Sequence, residues 1–356
     1  MRKFSILMSA CAFTLIGMST AFAGLPVPAY VDVKNGNDTN TGLGCAFLTP
    51  CATLNAALSV SGAGSAIIVL GGGLFGPIVL TGGILILGNT PDEEVNIFAD
   101  PTAQVGCLGH LPGSCGLNNN GYAVEVLVDP TTSDEKVTLH HVSLRAGGGS
   151  AAGALKFTSG KNLDLDYDTF EGGGSGAALE LSPFNSNNQP ATVYLANSNI
   201  SGGNGTGASG AVQVRPTGST SVQLHFNHDQ VHNTDFGIRT DGTQLASGPN
   251  NVVNTTVSDC QFFAIQFAAV NAVSIAGHGQ VVATFASNQI LNTQAGLKAN
   301  GPLSFVVLSN NTVTGNQTGV QVQNGASVYT AGNNVVTFSG PGGNLSGTLQ
   351  GSSPLL

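Results

Sequence analysis

The sequence predicts a single parallel β-helix, an all-β solenoid of about ten or eleven coils opened by a short N-terminal capping helix. Three observations carry this. Gly accounts for 50 of the 356 residues and Asn for 32, while Asp, Glu, Lys and Arg together make only 8 %. A pattern of two strand-like stretches, each followed by a turn, recurs from residue 137 onward. Asn288, Asn311 and Asn333 fall at one turn of successive copies. Gly and Asn tolerate positive φ, so their excess means many turns. A helical bundle would be rich in Ala, Glu, Lys and Leu. A disordered chain would not be 41 % hydrophobic, and collagen's strict Gly-X-Y period is absent.

Met1-Arg2-Lys3, the mostly apolar stretch from Phe4 to Thr20, and Ala21-Phe22-Ala23 before Gly24 read as a secretory signal peptide over residues 1–23. The apolar stretch is short for a membrane span. The chain beyond it holds 8 Lys+Arg and 19 Asp+Glu, a net charge of −11. That charge opposes binding to nucleic acid and to anionic membrane surfaces. No second long apolar segment follows, so no membrane span is expected in the mature chain. An exported chain with close cysteine pairs is expected to form two local disulfides, Cys45–Cys51 and Cys107–Cys115. Cys260 is left over, as a buried free thiol.

Residues 24–62 form the N-terminal lead-in segment and capping helix. Thr49 is its expected N-cap and Pro50 its first residue, before Leu54, Ala57 and Leu58. The β-helix spans 63–340, and a Gly/Ser-rich tail, 341–356, follows. The strand-like runs Ile78 to Leu80, Ile84 to Leu87, Val95 to Ile97 and Val124 to Val128 supply the first coils. Each later coil begins with an apolar pair five residues apart: Leu139/Leu144, Leu165/Phe170, Leu195/Ile200, Phe226/Val231, Val257/Phe262, Phe285/Ile290 and Leu308/Val313. The last copy is Thr330/Val335. A second stretch reads small-apolar-x-apolar, as in Ala154 to Phe157, Ala178 to Leu181, Ala211 to Val214, Ala272 to Ile275 and Gly319 to Val322. Alternation turns the apolar members inward. No single unit can bury its own apolar face, but units stacked at about 4.8 Å can.

Tyr30-Val31-Asp32, Gly36 to Gly42 and Pro50 to Leu58 resemble the N-terminal segment of secreted β-helix proteins of the pectin-lyase-like superfamily. The resemblance implies a right-handed coil. It implies little about function, because that superfamily holds polysaccharide lyases, glycoside hydrolases, tailspikes, adhesins and many proteins without assigned activity.

Asn233-Thr234-Asp235, Asp259 and Gly277-His278-Gly279 resemble polygalacturonase motifs, which would make Asp235 and Asp259 a carboxylate pair. The repeat gives a plainer account. Asn233 to Gly237 copies Asn292 to Gly296, where no Asp stands. Ser258 replaces the second Asp of the motif, and no Arg-x-Lys follows.

The repeat alignment itself gathers another set. Outward positions six before the second apolar residue hold Thr138, Asp164, Tyr194, His225, Thr256 and Thr284. Those four before hold His140, Asp166, Ala196, Asn227, Ser258 and Ala286. The bend beside them holds His141, Tyr167, Asn197, His228 and Asp259. The candidate face is therefore His140, Asp164, Asp166, Tyr194, His225, His228 and Asp259. It suits a carbohydrate groove, with Tyr167 and Tyr194 as platforms and His and Asp as hydrogen-bonding or acid–base groups. It also suits a cation: Ca²⁺ on Asp164 and Asp166, or a transition metal on His140 and His225 with a carboxylate. An ordinary solvated face of polar ladders accounts for the same residues. Gly-rich insertions at 147–153, 172–176 and 202–210 should stack into a patch, and the coil after Phe262 carries an apolar insertion at 263–271. The outward row Lys156, Glu180, Gln213, Arg239, Ser274, Lys298 and Gln321 has no dense basic cluster, which tells against a lyase acting on acidic polymer.

The reading is an exported β-helix protein that binds extracellular or cell-surface polysaccharide or serves a structural role there. The alternative is a polysaccharide lyase or glycoside hydrolase.

Overall fold

The computed structural model describes residues 27–88, 95–99, 105–110, 121–131, 136–147, 153–173, 176–202, 210–331, 333–338, 340–341 and 343–349. The expected signal peptide, Cys115 and most of the three Gly-rich insertions lie outside them. Among the described residues no helix is long and apolar enough to cross a membrane.

The chain is a parallel β-helix. Among the described residues eleven strands, one per coil, form the first sheet, from Ala29–Val31 to Ser327–Thr330. The second sheet holds two strips of shorter strands. They merge where Gln230–Asp241 and Gln261–Val273 each run on as one strand. Neighbouring strands along the first sheet all pair parallel.

The inward column Leu139, Leu165, Leu195, Phe226, Val257, Phe285, Leu308 stacks in the expected register. None of the seven is more than 4 % exposed. The second column, Leu144, Phe170, Ile200, Val231, Phe262, Ile290, Val313, is equally aligned. Between the columns the chain turns on one residue in the left-handed region: His141, Tyr167, Asn197, His228, Asp259, Ser287 and Asn310, with φ from 52° to 59°. A single such residue redirects the strand without a long loop, and Asn, Asp and His are enriched there.

A continuous ladder follows the bend. The backbone N–H of Val142 donates to Asp168 Oδ1 at 2.9 Å, Asp168 to Ser198 Oγ at 3.1 Å, and Ser198 to Asp229 Oδ1 at 2.8 Å. Asp229 donates to Cys260 Sγ at 3.4 Å, Cys260 to Asn288 Oδ1 at 2.9 Å, and Asn288 to Asn311 Oδ1 at 3.0 Å. Each buried amide is satisfied by a side chain of the next coil, as buried donors require. Cys260 is the buried free thiol expected, 1 % exposed.

Four expectations need correction. Val313 pairs with Val336, not Val335, which is 55 % exposed. The ladder accordingly ends on Asn334, which accepts from the Asn311 amide at 2.8 Å, whereas Asn333 accepts from Asn310 outside it. The last bend holds one extra residue, and a slip of one flips every side chain. Second, the copy of the small-apolar pattern is Ala269 to Ala272, not Ala272 to Ile275. Val270 pairs with Ile238 and Asn271 with Arg239, so Asn271, not Ser274, joins the outward row. Ile275 is 46 % exposed. The register shifts between Thr234 and Phe236, a bulge that adds one residue, and the other two positions of the displacement follow from the insertion expected at 263–271. Third, residues 263–271 are strand rather than insertion. Fourth, the helix is Leu54–Val60, capped by Thr53, whose side chain accepts from Ala56 N at 3.1 Å. Thr49 and Pro50 precede it. Cys51 is held instead by its disulfide to Cys45 and by a bridge to Val31. The helix still caps the stack, burying Leu54, Ala56, Ala57 and Leu58. Cys107 is also disulfide-bonded.

Candidate functional site

The first sheet carries the residues that the repeat alignment gathers. Thr138, Asp164, Tyr194 and His225 are register partners in successive coils, as are His140, Asp166, Ala196 and Asn227. Two residues apart on one strand, Asp164 and Asp166 point the same way, about 7 Å apart. Lys136, Asp164, Asp166, Tyr194, Asn197, His225 and Asn227 line a groove of about 490 Å³. The small side chain of Ala196, between Asp166 and Asn227, leaves room for it.

The groove has one aromatic wall. Tyr194 is 47 % exposed, and its ring stacks on His225 with centroids 4.9 Å apart at 11°. Its opposite side is ionic. Lys136 Nζ pairs with Asp164 Oδ2. Asp166 Oδ1 accepts from Asn197 Nδ2 at 2.9 Å, and its Oδ2 lies 3.3 Å from His140 Nε2. Just beyond, His140 and His141 face each other Nδ1 to Nδ1 at 2.6 Å, and His141 stacks on Tyr167 with centroids 5.1 Å apart. Burial lowers the His141 pKa, the neighbouring His140 adds to this, and Asp166 opposes it.

Asp164, Asp166, Tyr194 and His225 are thus brought together, and His140 borders them through Asp166. His228 and Asp259 are not among the groove residues. They occupy successive left-handed bends, where their amides donate to Ser258 and Ala286. Lys136 was missed, although it lies two residues before Thr138 in the same outward alternation. The polygalacturonase-like residues occupy different places round the coil. Asp259 is at the bend, Asp235 is buried within the strand Gln230–Asp241, and His278 is in the turn after Ile275.

Among the described residues no group of three or more His, Cys, Asp and Glu converges as a metal site requires. Asp164 and Asp166 each already have a basic or amide partner. The arrangement offers a flat ring face with fixed hydrogen-bond acceptors and donors beside it. Of the Gly-rich insertions only the flanks are described. A Cβ at Gly202 (φ +81°) would stand 2.2 Å from Gly172 O, so these two coils pack backbone to backbone.

No family model and no curated protein matches the chain. A solved pectin methylesterase from Aspergillus niger matches with a TM-score of 0.39 and 13 % identity, covering 89 % of this chain and 86 % of that one. A GH136 lacto-N-biosidase from Eubacterium ramulus matches with a TM-score of 0.33 and 10 % identity, covering 89 % and 67 %. The β-helix assignment rests on the strand pairing, and neither likeness bears on activity.

Proposed function

We propose that this parallel β-helix, pectin-lyase-like in architecture, is an exported glycan-binding protein that holds a saccharide in the groove of Tyr194 and His225. The observation that supports this is the groove itself. An exposed aromatic ring offers an apolar platform to the C–H face of a sugar. Asp164, Asp166, Asn197 and Lys136 stand beside it as acceptors and donors for hydroxyls. Export is supported by the N-terminal signal pattern and by the Cys45–Cys51 disulfide. The His140–Asp166 pair has the residue types that a lyase or hydrolase uses for general acid–base catalysis, so catalysis is an outcome the test must separate.

The test is a glycan array followed by calorimetry with the best ligand, on the wild type and on Tyr194→Ala and Asp166→Ala. Saturable binding weakened at least tenfold in Tyr194→Ala, with unchanged thermal unfolding, supports the proposal. Product release that Asp166→Ala abolishes replaces binding with catalysis. No binding to any glycan overturns both.

A further inference from the structure

On the second sheet Phe236 begins a column that shrinks abruptly. Its register partner is Ala268, followed by Ala295 and Thr318 on the next two coils. One coil's ring is thus succeeded by side chains too small to continue it. The space left is a cavity of about 320 Å³. Phe236, Ala268 and Ala295 form an apolar cluster separate from the core inside the coils, with Phe267 packed against it. The two rings stand 5.5 Å apart, tilted by 34°.

The rim is polar and carries one cation. Gln294, Gln317, Thr318 and Gln321 line the cavity together with Lys298. The Arg239 guanidinium lies over the Phe236 ring, 5.9 Å from its centroid. No Asp or Glu is among the described residues that line the cavity, although acids outnumber Lys+Arg by 19 to 10 in the chain. The carboxylates on the strand of Phe236 are otherwise placed. Asp241 is engaged by Arg215 and Arg239, and Asp235 is buried beside Phe236.

Aromatic walls hold a ring by its face, and carboxamides bond its substituents. An ammonium in a recess without a carboxylate favours an anion, because the partly excluded water screens it less. We propose that this cavity binds a ring of pyranose or benzene size bearing one carboxylate. The ring lies against Phe236 and Phe267, and the carboxylate meets Lys298. The inference stands apart from the groove on the first sheet.

The test is calorimetric titration of the folded chain with D-glucuronate, benzoate, D-glucose and inorganic phosphate. Saturable binding of either ring carboxylate is expected, at least tenfold weaker in Lys298→Met and at least tenfold tighter than glucose or phosphate. Preference for glucuronate identifies a sugar acid as the ligand, and preference for benzoate an aromatic acid; both uphold the site. Ala268→Leu should fill the cavity and abolish binding. If that variant does not fold, Lys298→Met, altered at a partly exposed position, still decides. Three results overturn the proposal: no binding of either ring carboxylate, binding unchanged in Lys298→Met, or glucose or phosphate binding as tightly as the ring carboxylates.

Discussion

The Asp229 carboxylate and the Asn288 carboxamide occupy equivalent rungs of the bend ladder, two coils apart. Each accepts a backbone N–H from the preceding coil, Ser198 at 2.8 Å and Cys260 at 2.9 Å. The rungs differ in their second polar atom. Asn288 Nδ2 donates to Val257 O at 3.0 Å, while Asp229 Oδ2 accepts from Asn227 N at 3.1 Å. One rung is neutral and the other ionisable, and both are buried.

Burial pushes the Asp229 carboxyl up to about 7, against the two amide bonds that favour its charged form. A carboxyl whose folded pKa lies above its unfolded value of about 4 stabilises the fold fully at low pH. That contribution is lost as pH rises toward 7 and beyond. Asp168 is pushed in the same direction, again chiefly by burial. Urea unfolding should therefore show the wild type losing on the order of 2 kcal/mol between pH 5 and pH 8 through Asp229. Asp229→Asn, turned as Asn288 is, should lose less over this range and exceed the wild type at pH 8. Equal pH slopes in the two proteins would contradict this.

Asn311 holds three coils. Its Oδ1 accepts from the Asn288 amide at 3.0 Å, and its Nδ2 donates to Phe285 O at 2.9 Å and to Asn334 Oδ1 at 2.9 Å. Asn311→Ala should cost about 2–4 kcal/mol, because it strands a buried donor and a buried acceptor. Asn310→Gly, at the exposed neighbouring bend position with φ 55°, should stay within about 1 kcal/mol. Denaturant midpoints separate the two.

Burial raises the Cys260 thiol to about 12, and Asp229 adds to this. Since the thiolate is the nucleophile, Cys260 should resist alkylation at pH 8 in the native protein. It should react within minutes in guanidinium, as read by mass spectrometry. Rapid native labelling would show that the coil opens at this rung.

Gly301 takes φ +96°, and a Cβ there would stand 1.5 Å from Ser274 O. Gly301→Ala should cost at least about 2 kcal/mol. Gly42→Ala, with open space around the added carbon, should be close to neutral by the same urea assay.

What was legible in the sequence follows from periodicity. The pleat has a period of two, so Leu139 through Leu308 could be aligned, and the outward rows with Asp164, Tyr194 and His225 came with them. Features that depend on local counting were not legible. The bulge opposite Asp235 moved the small-apolar copy by one residue, and the extra residue in the last bend moved the ladder to Asn334.

The sequence by itself determined the stack, its bends and the face on which the acids and histidines lie, because all three repeat along the chain. Only the tertiary structure decided what those residues do. It turned Lys136 onto Asp164 and set Tyr194 parallel to His225. It left His228 and Asp259 outside the groove and opened a cavity beyond Phe236. Side-chain pairing and empty space arise between coils about 4.8 Å apart, from residues more than twenty positions distant in the chain, so no local pattern carries them.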